Sequence, residues 1–218
     1  MERSIEAIWK EGFLVSDALV APKINQLYSQ KSKHIVDKFK RMFEINLIAI
    51  LIFSVVLLPV SFLFGMAYMG VPMFLLLNAV AVVNKRLSNG LNKIDKSVSS
   101  YQYLKAFDAW MQKQISINTK MSAFNYPWAF LSLLAGFWFF DVEGRTLGEA
   151  LMNKLMIHYP QTYLVGGLPL VGIIGVMLVA CFLAFFGGRL YKFELKLVYG
   201  HVMSRLQEML ADMEELRR

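Results

Sequence analysis

Apolar residues in this chain gather into long charge-free runs, and the charged segments between them repeat apolar positions every three or four residues. From Ile45 to Asn84 there are 40 residues without a charge. As one straight helix they would run about 60 Å, twice the hydrocarbon thickness of a bilayer. Gly65, Gly70 and Pro72 fall at the midpoint, where the chain can turn, so the run predicts a hairpin of two spans, Leu47 to Phe64 and Tyr68 to Val83. A third span is expected over Ala123 to Phe140, bracketed by Tyr126, Trp128 and Trp138, and a fourth over Tyr163 to Gly187. The fold class that follows is all-α: a polytopic membrane protein with four transmembrane helices in two hairpins.

The charged segments carry a helical period. Residues 4 to 20 (Ile5, Ile8, Trp9, Phe13, Leu14) predict a weak amphipathic helix ending before Pro22. A second, from about Lys23 to Phe43, puts Ile24, Leu27, Tyr28, Ile35, Phe39 and Met42 on one face. Leu87, Leu91, Ile94, Val98 and Tyr101 step by four and three, and Leu104, Phe107, Met111 and Ile115 continue that stripe. Leu195, Tyr199, Val202, Leu206, Met209, Met213 and Leu216 form an unbroken heptad seam. None of these stripes can be buried alone in water, so a helical bundle beneath the membrane is expected. A seam left partly open would be a groove for a partner helix, which makes the seam from Leu195 to Leu216 the candidate partner-binding surface. The acidic run Glu208, Asp212, Glu214 and Glu215 could meet a basic partner.

Charge placement then orients the molecule. Lys and Arg number eight in residues 1 to 44, seven in 84 to 122 and six in 188 to 218; Arg145 and Lys154 are the other two of 23. By the positive-inside rule both termini and the middle segment face the cytoplasm. The net charge of +7 is thereby explained by topology, and nucleic acid is not an expected partner. Lys38, Lys40, Arg41, Lys85, Arg86, Arg189 and Lys192 sit where anionic lipid head groups would meet them. The resulting organisation is 1–44 cytoplasmic helices, 45–84 first hairpin, 85–122 cytoplasmic helical segment, 123–187 second hairpin, and 188–218 cytoplasmic heptad helix. A short outer interfacial helix is expected over 146–158, opened by a capping box of Thr146 and Glu149. The first apolar run starts only after 44 residues, so no cleavable leader is expected.

Small residues recur at intervals of four in the third span (Ser132, Gly136) and in the fourth (Ala180, Ala184, Gly188), which predicts close packing of these two helices. Met42 to Asn46 and Met121 to Asn125 share a pattern just before each hairpin, as parallel repeats would. His34, His158 and His201 have no metal-ligand spacing, Cys181 is alone, and no nucleophile elbow, P-loop or carboxylate pair occurs. No enzyme activity, cofactor or metal is therefore expected. The spans contain no ionisable Asp, Glu, Lys, Arg or His, only Asn46, Asn78 and Asn125 at their edges or within.

From the opening MERSIEAIWKEGF to the closing ADMEELRR, the whole chain resembles four-span inner-membrane proteins of Bacteroidota-type bacteria, some encoded near extracytoplasmic-function sigma factors. The resemblance implies a membrane regulator that holds a cytoplasmic protein, in the manner of an anti-sigma factor, and it carries no site residues. Two functions are thus expected in order: a membrane-tethered scaffold or regulator with a cytoplasmic protein partner, and, as the alternative, a small channel or transporter, self-associated and lined by Asn78.

Overall fold

The computed structural model describes residues 30–95 and 98–215, and over these the chain is mostly helical. The expectations for Ile5 to Tyr28, including the stop before Pro22, lie outside the described residues, as does Leu216. The elements run α1 (Ile5–Leu63, described from Gln30), α2 (Ala67–Leu91), α3 (Ser100–Trp138), β1 (Asp141–Val142), β2 (Arg145–Thr146), α4 (Leu147–His158), β3 (Leu164–Val165), β4 (Leu168–Pro169) and α5 (Leu170–Glu215). Three helical stretches, Gln30–Leu63, Ala67–Leu91 and Leu170–Glu215, are long and apolar enough to cross a membrane. α3 is not among them, because Ser122, Asn125, Tyr126 and Ser132 dilute its apolar half.

Contacts between helices step along them in opposite directions, which makes neighbours antiparallel. On α1 and α2, Ser54 meets Asn78 and Ser61 meets Gly70. On α2 and α3, Leu87 meets Trp110, Asn84 meets Asn118, Pro72 meets Trp128 and Met69 meets Gly136. On α3 and α5, Thr119 meets Gly188 and Ser122 meets Gly187. The result is an up-down-up-down array of α1, α2, α3 and α5.

The turn after α1 is a Schellman motif: Gly65 takes φ +71°, its N–H donates to the Phe62 carbonyl at 3.1 Å, and the Met66 N–H donates to the Ser61 carbonyl at 2.7 Å. Gly70, which pattern alone places in this turn, lies inside α2. A Cβ there would collide with the Ser61 side chain, so the glycine lets two helices touch. At the other end of the array, the stripe from Leu87 to Ile115 does not form one helix. α2 stops at Leu91 and α3 starts at Ser100, capped by the Ser99 hydroxyl, so the stripe folds back on itself. Leu91 on one arm and Leu104 on the other enter the same core.

Between α3 and α5 the chain builds the same device twice. β1–β2 turns through Glu143 and Gly144, and β3–β4 through Gly166 and Gly167, all four residues at positive φ. Each two-residue ribbon feeds straight into a helix: Leu147 N–H donates to the Phe140 carbonyl, and Leu170 N–H to the Tyr163 carbonyl, both at 2.9 Å. Thr146 and Glu149 form a reciprocal capping box at the start of α4.

The hydrophobic core sits at the charged end of the array. It comprises Val36, Phe39, Phe43 and Leu47 of α1, Leu91 of α2, Tyr103, Leu104, Phe107 and Met111 of α3, and Tyr199, Val202, Leu206, Met209 and Met213 of α5. The charge-free stretches remain open instead: Leu63 is 84 % exposed, Val171 77 % and Phe185 76 %. A soluble protein distributes these the other way round.

Candidate functional site

The charged end of the array holds the most organised side chains. Phe39 is its hub: its ring centroid lies 5.1 Å from that of Tyr199, 5.3 Å from Phe107 and 5.9 Å from Trp110. Trp110 stacks on Phe107 and donates its indole N–H to the Leu87 carbonyl at 2.9 Å, which ties α2 to α3. Tyr103 is buried beside this cluster. Burial first, and then the Asp37 carboxylate, push its phenol above the ordinary value, so it stays neutral.

Of the seam expected to receive a partner, Tyr199, Val202, Leu206, Met209 and Met213 are buried in this core, and Leu195 packs half-buried against it. The chain's own α1, α2 and α3 fill the seam, so it presents no open groove in this conformation. What the last turns of α5 leave in solvent is polar: Glu208, Asp212 and Glu215 are exposed, while Glu214 accepts a hydrogen bond from the Tyr101 hydroxyl at 3.0 Å.

Just above the core lies a buried amide layer. Asn118 Nδ2 donates to Asn84 Oδ1 at 3.0 Å and Asn84 Nδ2 donates to Asn118 Oδ1 at 3.3 Å. The second hydrogens go to the Gln114 and Val80 carbonyls, so both amides use every donor they have. Gln114 Oε1 and Thr119 Oγ1, close by in sequence, are buried without a hydrogen-bond partner among the described residues. Replacing Asn118 by leucine strands the Asn84 amide in a buried site, at an expected cost of about 1–3 kcal/mol. The double change Asn84→Leu/Asn118→Leu should cost less than the sum of the singles in thermal unfolding; strict additivity would show that the pair is not a working unit.

The cations expected at a membrane surface, Lys38, Arg41, Lys85, Arg86, Arg189 and Lys192, are exposed and Lys40 is partly so. Arg189 lies over the Phe186 ring at 5.3 Å. Among the packing residues, Ser132 is buried and donates to the Trp128 carbonyl, and Gly136 abuts Met69 of α2. Gly188 abuts Thr119 of α3, and Ala180 and Ala184 are half-buried. Asn78 is engaged within the array, donating to Ser54 Oγ at 3.2 Å and to the Phe74 carbonyl at 2.8 Å.

At the opposite end an open cleft of 590 Å³ is lined by Trp138, Arg145, Glu149, Met152, Asn153 and the β3–β4 turn. Among the described residues no group of His, Cys, Asp or Glu could hold a metal ion. The amide pair, Gly187 against Ser122, and the two ribbons escape sequence reasoning. Their only signals are asparagines at the junction of apolar and charged segments, and paired turn residues. No protein-family model, curated protein or solved structure matches the chain.

Proposed function

We propose that this chain is a membrane-embedded, non-catalytic scaffold or regulator that crosses the bilayer four times and offers a rigid helical platform to a cytoplasmic protein. The observation that carries the membrane part is the inverted burial: apolar stretches stay exposed while the charged ends build a closed core. Lipid is the solvent in which exposed Val171 and Phe185 cost nothing, and water the one in which the stripes of Phe107 and Leu206 must pack.

Connectivity supports the fourth crossing. α2 ends at the core end of the array and α5 starts at the other, and α3 is the helix that runs between them. Its polar residues find partners: the buried Ser122 and Ser132 donate to the Thr119 and Trp128 carbonyls of α3 itself, and the Trp128 indole donates to the Pro72 carbonyl of α2. With the basic segments on the core side, the termini and the α2–α3 turn face the cytoplasm.

The regulatory part rests on two features. α3, with Pro127 inside it, and α5 each continue from the apolar layer into the core, at about 58 and 69 Å in length, so each links the two ends of the array. The exposed acids Glu208, Asp212 and Glu215 form a face suited to a basic cytoplasmic partner. Affinity purification in mild detergent tests this. A cytoplasmic protein should accompany the full-length chain and be lost from Glu208→Lys/Asp212→Lys/Glu215→Lys, whose helix content is unchanged. If none accompanies the full-length chain, the regulatory reading is wrong.

A further inference from the structure

The exposed apolar surface of α5 does not end where its charges begin. Leu190 is 39 % exposed, Phe193 65 %, Leu197 72 % and Val198 56 %, although Arg189 and Lys192 already precede or interrupt them. At helical spacing Phe182, Phe186, Leu190, Phe193 and Leu197 fall on one line, on the side of α5 opposite the core residues Tyr199, Val202 and Leu206. The same line then turns polar, with His201, Ser204 and Glu208 all exposed. So an apolar stripe continuous with the open apolar stretch runs ten residues past Gly187, about 15 Å by helical rise, and stops abruptly.

Arg189, Lys192 and Lys196, all exposed, lie along one flank of that stripe. Their long stems can cover apolar surface while the charges reach outward. A line of Phe and Leu with cations along its edge is the chemistry of a helix seated in the interface of an anionic bilayer. Two properties of the stripe select lipid over a protein occupant: it is continuous with the surface that lipid already covers, and its flank is cationic.

We infer that Leu190–Val198 of α5 lies in the head-group interface of an anionic leaflet, with Phe193 and Leu197 against acyl chains and Arg189, Lys192 and Lys196 on lipid phosphates. The cytoplasmic bundle is then held against the membrane by this face of α5, so its posture depends on lipid charge. This inference rests on the membrane reading above, and the test separates the two.

Full-length chain with Cys181→Ala is given a single nitroxide-labelled cysteine at Leu197, Ser204 or Leu178, the last exposed midway along the charge-free stretch of α5, and reconstituted in phosphatidylcholine vesicles with or without phosphatidylglycerol. With phosphatidylglycerol, the label at 197 should collide more with oxygen than with a water-soluble nickel chelate, and the label at 204 should show the reverse. Arg189→Gln/Lys192→Gln/Lys196→Gln should shift the label at 197 to the pattern at 204. Chelate access at 197 equal to that at 204 overturns the inference. So does shielding of 197 from both reagents, which would mean that protein covers it. Chelate access at 178 would defeat the membrane reading itself, and the inference with it.

Discussion

Replacing Phe107 with alanine is expected to destabilise the helical core at the charged end of the array by about 3–5 kcal/mol. Its side chain is fully buried, meets the Phe39 ring edge-on at 5.3 Å and stacks on Trp110 at 5.9 Å. Truncation leaves a cavity among three helices that cannot close without moving all of them, and it removes two aromatic contacts as well. Such a loss is a large fraction of the net stability of a typical domain. The readout is thermal melting followed by near-ultraviolet circular dichroism in detergent, where the Trp110 environment should be lost early while helix content persists. Phe107→Leu, which keeps more of the volume, should fall between wild type and alanine. A melting curve for Phe107→Ala that overlays wild type would mean that the core is not packed as described.

The second large effect is expected at Gly187. A Cβ there would sit 2.7 Å from the Ser122 carbonyl oxygen and 3.1 Å from the Tyr126 ring. The oxygen belongs to helix backbone and cannot step aside, so Gly187→Leu must push α5 off α3, at about 1–3 kcal/mol or somewhat more. Gly175, on the same helix, has nothing within 4 Å of the place a Cβ would take. Gly175→Ala should therefore be neutral or stabilise by roughly 0.5–1 kcal/mol through helix propensity. Thermal unfolding of the pair in one detergent separates close packing from a general intolerance of α5 to substitution. Equal destabilisation of both variants would contradict the described α3–α5 contact.

Periodicity is a good guide where burial follows period. Phe39, Leu104, Phe107, Met111, Tyr199, Val202 and Leu206 stand out from the sequence alone as stripe positions, because each stripe must find cover in water. Charge-free runs likewise mark three helices apolar enough for a membrane. What pattern does not carry is pairing. That Asn84 meets Asn118, or Ser61 meets Gly70, depends on the register of two helices, which no single stripe encodes. Gly70 reads as a turn residue because glycine serves both turns and close approaches, and only the neighbour distinguishes them. The stripe across Leu87 to Ile115 keeps its spacing through a chain reversal, since both arms of a helical hairpin contribute to one core. The two ribbons are invisible to alternation, their strands being two residues long. At the candidate site, the seam of α5 is legible residue by residue, but not its occupant, because the same stripe suits a neighbour in the chain or a partner.

The proposed topology stands or falls with α3 carrying the chain through a bilayer, between a cytoplasmic core and an outer α4. Single cysteines in the Cys181→Ala background test this at Gln112, exposed at the charged end of α3, and at Asn153, exposed on α4. With a membrane-impermeant maleimide on intact spheroplasts, Asn153→Cys should label at once and Gln112→Cys only after permeabilisation. Labelling of Gln112→Cys in intact spheroplasts, or the same pattern at both positions, would contradict that crossing.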